Sequence, residues 1–406
     1  MVEHPEVPAT LRRRLGLPLL VLYGTGITIG AGIYVLIGTV AGHAGLYAPW
    51  SFVIAAVVMG LTVASYAELS TRYPVSAAEA AYVKAAFGSR VLSTSTGLLT
   101  IVVGTVCSAT VVLGAAGYIQ EFTDLSRATV VIGVVLFLGA VAGWGILESA
   151  VLASLFTLIE ISGLVAIIAG GFHAEVPLSA VFLSFPSGVP AVSGVAFASL
   201  LAFFAFIGFE DLANAVEEAK VPHRDIPRAM AATLAISTIL YVLVAAIAVS
   251  TVSADRLSAS SAPLSLVFRT LTGVSPAAIS AIAIVATLNT ILAQMTMASR
   301  VIYGMARQGD LPSFVGRVHA RTRTPLVATA LSVLSVIVLA LAFPLERLAE
   351  STSIATLLVF VLVNASLLWL RLKRVQSTVP HVRVPLWVPT AGLITCIAMI
   401  TAALLN

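Results

Sequence analysis

The sequence predicts an all-α polytopic membrane protein with eleven spanning helices. Three observations predict it. Of 406 residues, 59% are apolar and only 40 are Asp, Glu, Lys or Arg; ordinary soluble domains carry roughly 25% charged residues. The mean hydropathy is +1.06. The apolar residues fall into runs of about 20, the length that crosses a hydrocarbon core as a helix. So few charges cannot cover the surface of a soluble 42 kDa protein, which excludes a soluble enzyme, a disordered chain and a nucleic-acid binder.

The runs lie at 16–40, 47–71, 91–119, 128–147, 150–171, 193–215, 229–252, 276–305, 325–343, 348–370 and 385–405. The first is too long for a cleavable leader and leads straight into the second. Gly, Ala and Ser inside the runs suit close helix packing in lipid. With a cytoplasmic N-terminus and alternating sides, 18 of the 22 Lys and Arg fall on cytoplasmic connectors. The four on the other side are Arg127, Arg256, Arg269 and Arg347. This positive-inside bias fixes the orientation, explains the pI near 9.2 without a nucleic-acid partner, and puts the C-terminus outside. The connectors are too short for a soluble domain; the stretch 76–89 predicts a short cytoplasmic helix, and 254–272 an external loop helix.

Cys107 and Cys396 lie inside apolar runs and read as buried free thiols; two cysteines make neither a disulfide framework nor a zinc site. The six histidines all sit at or beyond the ends of runs, so no metal or haem site is expected in the membrane core.

Several residues are unusual for lipid-facing helices. In the first run, Gly24-Thr25-Gly26-Ile27-Thr28-Ile29-Gly30-Ala31-Gly32-Ile33-Tyr34 concentrates Gly and Thr at mid-membrane. The spacing is not a dinucleotide-binding fingerprint. It fits small-residue helix packing, or a helix broken at Gly30-Ala31-Gly32 whose backbone N–H groups face an anion. In the sixth run, Glu210 and Asp211 follow Phe203-Phe204-Ala205-Phe206-Ile207-Gly208-Phe209. Intramembrane acids mark a cavity or pathway. The first and sixth runs cross in opposite directions. Interrupted helices at matching positions of two five-span halves are the signature of an inverted-repeat transporter.

Glu160 lies near the middle of the fifth run, where a short side chain cannot reach the interface. It is the candidate ion-coupling residue, the alternative being an acid that only bonds neighbouring helices. Glu68 and Arg300, at the cytoplasmic ends of runs two and eight, are a candidate ion-pair latch. Thr105 and Asn289 are candidate pocket linings.

At these residues the chain resembles the amino acid–polyamine–organocation (APC) superfamily, and within it the bacterial cationic-amino-acid-transporter-like permeases. The matching text is Ile29-Gly30-Ala31-Gly32-Ile33-Tyr34-Val35-Leu36-Ile37-Gly38, Tyr66-Ala67-Glu68-Leu69, Arg72-Tyr73-Pro74-Val75-Ser76, and Phe203 to Glu210. It continues through Glu217-Glu218-Ala219-Lys220-Val221-Pro222-His223-Arg224-Asp225-Ile226-Pro227-Arg228-Ala229, Ser299-Arg300-Val301-Ile302-Tyr303-Gly304-Met305-Ala306-Arg307, Gly309-Asp310-Leu311-Pro312 and Val382-Arg383-Val384-Pro385-Leu386.

The resemblance implies a LeuT-type core at 16–372, with inverted repeats about 16–171 and 193–372. A cytoplasmic tail (1–15) precedes it, and a loop with an eleventh helix (373–406) follows. It implies an inner-membrane secondary amino acid transporter working by alternating access, with no enzyme activity and no cofactor. The substrate site would comprise Thr28, Ile29, Gly30, Ala31, Gly32, Phe203, Phe204, Ala205, Phe206, Gly208, Thr105 and Asn289. In this reading amides at 30–32 meet the substrate carboxylate, and carbonyls near Phe203, Ala205 and Phe206 accept from its ammonium. Glu68, Glu210, Asp211 and Arg300 would serve gating or the pathway. Many proton-coupled relatives carry Lys where Glu160 stands, and most have twelve spans or more. The expected activity is proton-coupled import of neutral amino acids. The alternatives are sodium as the coupling ion, a cationic amino acid or polyamine exchanger, and, remotely, a channel.

Overall fold

The computed structural model describes residues 15–30, 32–74, 78–144, 150–319, 321–322, 324–377 and 379–405. Among them there is no strand, only an isolated bridge between Leu15 and Ala219. The α-helices in chain order are α1 Leu17–Ile29, α2 Gly32–Ala44, α3 Ala48–Arg72, α4 Ala78–Phe87, α5 Arg90–Ile119 and α6 Arg127–Trp144. Then follow α7 Ala150–His173, α8 Ser179–Phe182, α9 Val189–Phe204, α10 Asp211–Asn214, α11 Pro222–Thr251 and α12 Ala254–Ala259. The remainder are α13 Pro263–Thr272, α14 Ala277–Arg307, α15 Leu326–Ala342, α16 Leu345–Leu372 and α17 Trp387–Leu404.

Eight helical stretches among the described residues are long and apolar enough to cross a membrane; α1, α9 and α15 are shorter apolar helices. One of the eight runs from Gly32 to Arg72, 41 residues. A straight helix of that length would be about 60 Å long, twice the hydrocarbon core. It folds back instead through a 3-10 turn at Gly45–Tyr47, with Pro49 in the first turn of α3. Gly45 takes a positive φ of 56° there.

Each of the eleven apolar runs is mainly helical in its described part, the first interrupted at Gly30 and the sixth over 205–210, with boundaries set by local chemistry. The seventh run begins earlier than hydropathy predicts, because α11 starts at Pro222 with acidic Asp225 in its first turn. Proline without an N–H and an acid near the positive helix end both suit an N-terminus. The predicted 254–272 helix is two helices, α12 and α13, with Pro263 opening the second. Residues 145–147 of the fourth run, and the tail 1–14, lie outside the described residues.

Helix α5 lies deep in the bundle, packed on α14 and α16, while α3 packs along α11. Close approach is permitted by small residues: a Cβ on Gly104 would meet the Ala298 side chain and the Gln294 carbonyl at 3.0 Å. Exposed Leu136, Phe137, Leu158, Leu334, Ile394 and Ile397 form part of the apolar outer surface that faces lipid. Some of the buried polar groups tie helices together. Asn364, fully buried in α16, donates to Thr62 Oγ1 at 2.9 Å and accepts from Ser65 Oγ at 2.7 Å, tying α16 to α3. Cys107 and Cys396 are buried free thiols.

Candidate functional site

Two helix breaks meet at the centre. Helix α1 ends at Ile29, and the Gly30 N–H closes its last turn on the Gly26 carbonyl at 2.9 Å. Helix α2 restarts at Gly32. Ala31 lies outside the described residues. The second break follows α9. The chain passes through 3-10-type bonds, Phe206 N–H to the Phe203 carbonyl at 3.0 Å and Ile207 N–H to the Phe204 carbonyl at 3.1 Å. It then turns at Gly208, whose φ of 120° excludes ordinary side-chain-bearing residues. A Cβ on Gly32 would lie 2.2 Å from Ala205 Cα, so the N-terminus of α2 rests directly on the second break.

This arrangement changes which backbone groups are available. The Gly30 amide is used within α1. The first N–H groups of α2, starting at Gly32, have no partner within their own helix by construction. At the second break the Phe203 carbonyl accepts from Phe206 N–H and the Ala205 carbonyl from the Tyr241 hydroxyl at 2.8 Å. Each of those carbonyls keeps a second lone pair.

Tyr241, on α11, locks the two breaks together. Its hydroxyl lies 2.8 Å from both the Thr28 and the Ala205 carbonyls, sharing one proton between them. Its ring packs on Phe206 at 5.0 Å and Phe52 at 5.7 Å. Phe203, Phe206 and Phe209 are buried, with Phe360 packed against Phe203 and Phe209. Phe204 and Ile29 are buried as well.

Glu160 is fully buried in α7. Its Oε1 accepts from Asn289 Nδ2 at 3.1 Å, and its backbone carbonyl accepts from the Tyr34 hydroxyl at 2.6 Å. The Tyr118 hydroxyl donates to the Tyr34 carbonyl at 2.7 Å and receives the Leu264 N–H at 3.4 Å. A line of bonds therefore runs from α7 through α2 and α5 to α13. Thr290, next to Asn289, sets its hydroxyl where a Cβ on Gly30 would come within 2.0 Å.

The other candidates fall elsewhere. Thr105 donates to the Ile101 carbonyl of its own helix at 2.8 Å. The Glu210 carboxylate folds back to accept the Gly208 N–H at 2.8 Å. Asp211 opens α10 and bonds to Asn214. The Glu68–Arg300 latch does not form. Glu68, fully buried, pairs with Arg371 at 3.5 Å and accepts the Val384 N–H at 2.8 Å, whereas Arg300 is exposed on α14. The reason is the chain returning after α16, which lays residues 382–384 against the end of α3 and brings Arg371 with it.

Sequence reasoning missed Tyr241, Tyr34, Tyr118 and Arg371. A tyrosine inside an apolar run is a signal for the first, since a buried hydroxyl seeks a partner. Nothing local marks which partner. A cavity of about 910 Å³ opens at the far end of α2, where His43 Nε2 meets Glu346 Oε1 at 3.0 Å.

A family model described as amino acid permease matches residues 15–406. The chain is 30% identical to the branched-chain amino acid permease BcaP of Bacillus subtilis over 391 residues, 90% of this chain and 82% of that protein. It is 31% identical to the vacuolar cationic amino acid transporter 4 of Arabidopsis thaliana over 389 residues, 90% of this chain but 64% of that longer protein. It is 31% identical to an uncharacterized transporter of Mycobacterium tuberculosis over 404 residues, 98% of this chain and 88% of the relative. Crossed by membrane-length helices, broken twice at its centre and matched along its length, this chain belongs to the amino acid permease family of the APC superfamily.

Proposed function

We propose that the protein imports neutral amino acids by alternating access, driven by protons that load Glu160. The observation that carries the coupling is Glu160 itself: a fully buried carboxyl in α7, held by Asn289 and one bond away from Tyr34, which begins beside the first break. A carboxyl there is neutral when protonated and costly when charged, so its protonation favours one packing of α7 against α2 and α14 over another. Proton is the coupling ion in this reading, and sodium is the alternative that the same carboxylate offers.

An amino acid is a zwitterion. The free N–H groups at the start of α2 suit its carboxylate and the carbonyl ends of α1 and α9 suit its ammonium. In the structure these ends are in contact, Gly32 against Ala205, so the substrate enters as they part. The buried rings of Phe203 and Phe206 offer an apolar surface for its side chain. Neutral substrates are favoured because the Glu210 carboxylate is engaged by its own turn and Asp211 by Asn214. The cationic reading rests on the position of these two acids immediately after the break, and several relatives are named for cationic substrates.

The five-helix repeats, 16–171 and 193–372, together make the transporting core in this reading, and their helices interleave, with α5 of the first packed on α14 and α16 of the second. The protein resides in the cell membrane with its N-terminus cytoplasmic, as the charge bias of the connectors favours, and its C-terminus outside. The test is uptake by purified protein in proteoliposomes, with labelled neutral and cationic amino acids, without sodium, with and without an inward proton gradient. Gradient-stimulated uptake of neutral substrates is expected. Uptake that requires internal amino acid and ignores the gradient overturns the coupling, and preference for Arg or Lys overturns the substrate class.

A further inference from the structure

Buried Ser and Thr hydroxyls in helices ordinarily donate to the carbonyl one turn back. Many in this protein do: Thr238 donates to Leu234 at 2.6 Å and Thr287 to Ala283 at 2.8 Å. Four hydroxyls in one region do not. Thr25 (1% exposed), Thr28 (3%), Thr233 (0%) and Ser237 (0%) have no hydrogen-bond partner.

They share one seam. Thr25 and Thr28 lie one turn apart on α1, and Thr233 and Ser237 one turn apart on α11, with Tyr241 a further turn along. The two helices pack side by side and start at the same end, where Leu15 and residues 218–220 bond to each other. At the outer part of the seam the Thr233 hydroxyl faces the α1 backbone, 2.7 Å from where a Cβ on Gly24 would stand. At the inner part Tyr241 bonds the Thr28 carbonyl and lies within electrostatic reach of Glu160. The titratable groups facing Glu160 are Tyr34 from α2 and Tyr241 from α11; Asn289 from α14 is neutral, and α1 carries no charged residue.

We propose that this hydroxyl-lined seam between α1 and α11 is the hydrated route along which the coupling proton passes between Glu160 and the aqueous phase at the N-terminal end of α1. This rests on the reading of Glu160 as the coupling residue. A hydroxyl both accepts and donates. The Glu160 O–H bond breaks, its proton is taken by the first oxygen of the route, and each oxygen passes one proton on. Every hydroxyl and water ends with the protons it began with, and one hydronium leaves at the far end. Free hydroxyls suit this relay better than ones committed to a helix carbonyl.

The test uses full-length protein in proteoliposomes. Thr233→Val with Ser237→Ala removes two hydroxyls while keeping shape. Gradient-driven uptake is expected to fall at least tenfold while amino acid exchange stays within twofold of wild type, and Ser237→Thr alone is expected to retain gradient drive where Ser237→Ala does not. Separately, with Cys107 and Cys396 replaced by Ala, S237C is expected to react with 2-aminoethyl methanethiosulfonate at least tenfold faster than T238C. A double variant with undiminished gradient drive overturns the route and leaves Glu160 standing. S237C reacting no faster than T238C also overturns it. A wild-type protein with no gradient-driven uptake overturns both the route and the Glu160 reading.

Discussion

Asn289 donates to Glu160 across 3.1 Å, joining a half-buried side-chain amide on α14 to a fully buried carboxyl on α7. A buried carboxyl with a neutral amide partner is held in place without being held in one charge state. An arginine partner would have fixed it as a carboxylate.

Glu160→Gln therefore isolates titration from structure. The amide keeps an oxygen for Asn289 to donate to but cannot bind and release a proton. Gradient-driven uptake is expected to drop at least tenfold with the melting temperature little changed. Proteoliposome transport and thermal unfolding in detergent measure the two, and undiminished gradient-driven uptake would count against the coupling role.

Tyr241→Phe keeps the ring on Phe206 and Phe52 and deletes the hydroxyl shared by Thr28 and Ala205. Loss of one buried hydrogen bond costs about 1 kcal/mol net. The two breaks are then no longer tied, so a rise in KM larger than the loss of stability is expected. Transport kinetics beside thermal unfolding give the comparison.

Gly32→Ala places a methyl 2.2 Å from Ala205 Cα, a backbone contact that no rotamer relieves. Overpacking of this kind costs about 1–3 kcal/mol. Because the strain falls between the two breaks, substrate binding is expected to be lost in protein that still folds, as measured by scintillation proximity binding.

Glu68 and Arg371 test the relocated ion pair. Removing one partner of a buried pair costs about 3–5 kcal/mol, and replacing both with apolar residues is often neutral. The Arg371 side chain is 22% exposed, so the lower end of that range is expected. Glu68→Met should destabilise more than the double variant with Arg371→Met, and Arg300→Met should change little; a thermal-unfolding cycle decides.

Glu79 lies on α4, outside the spans, where burial raises its carboxyl above the ordinary range against opposing bonds from its own backbone and the Tyr66 hydroxyl. A raised carboxyl favours the folded state while protonated. That contribution is full below the ordinary carboxylate pKa and is lost as pH rises through the raised value. Stability should thus fall with pH more steeply in wild type than in Glu79→Gln, as read from melting temperature across pH.

The sequence by itself determined the apolar helices, the family motifs, the two breaks and the buried acid at Glu160. These are local: hydropathy over 20 residues, glycines where a helix must stop, an acid where none is cheap. The tertiary structure decided the partners. Tyr241 reaches Thr28 across 213 positions, and Arg371 rather than Arg300 meets Glu68 across 303. It also decided that the Gly30 amide is spent inside α1, that Glu210 turns back on its own loop, and that four hydroxyls share one seam. A helix presents its whole circumference to the sequence, and only packing selects which face of α1 meets α11 and which meets α7. Polar side chains then find partners by proximity in space, which no local pattern of residues encodes.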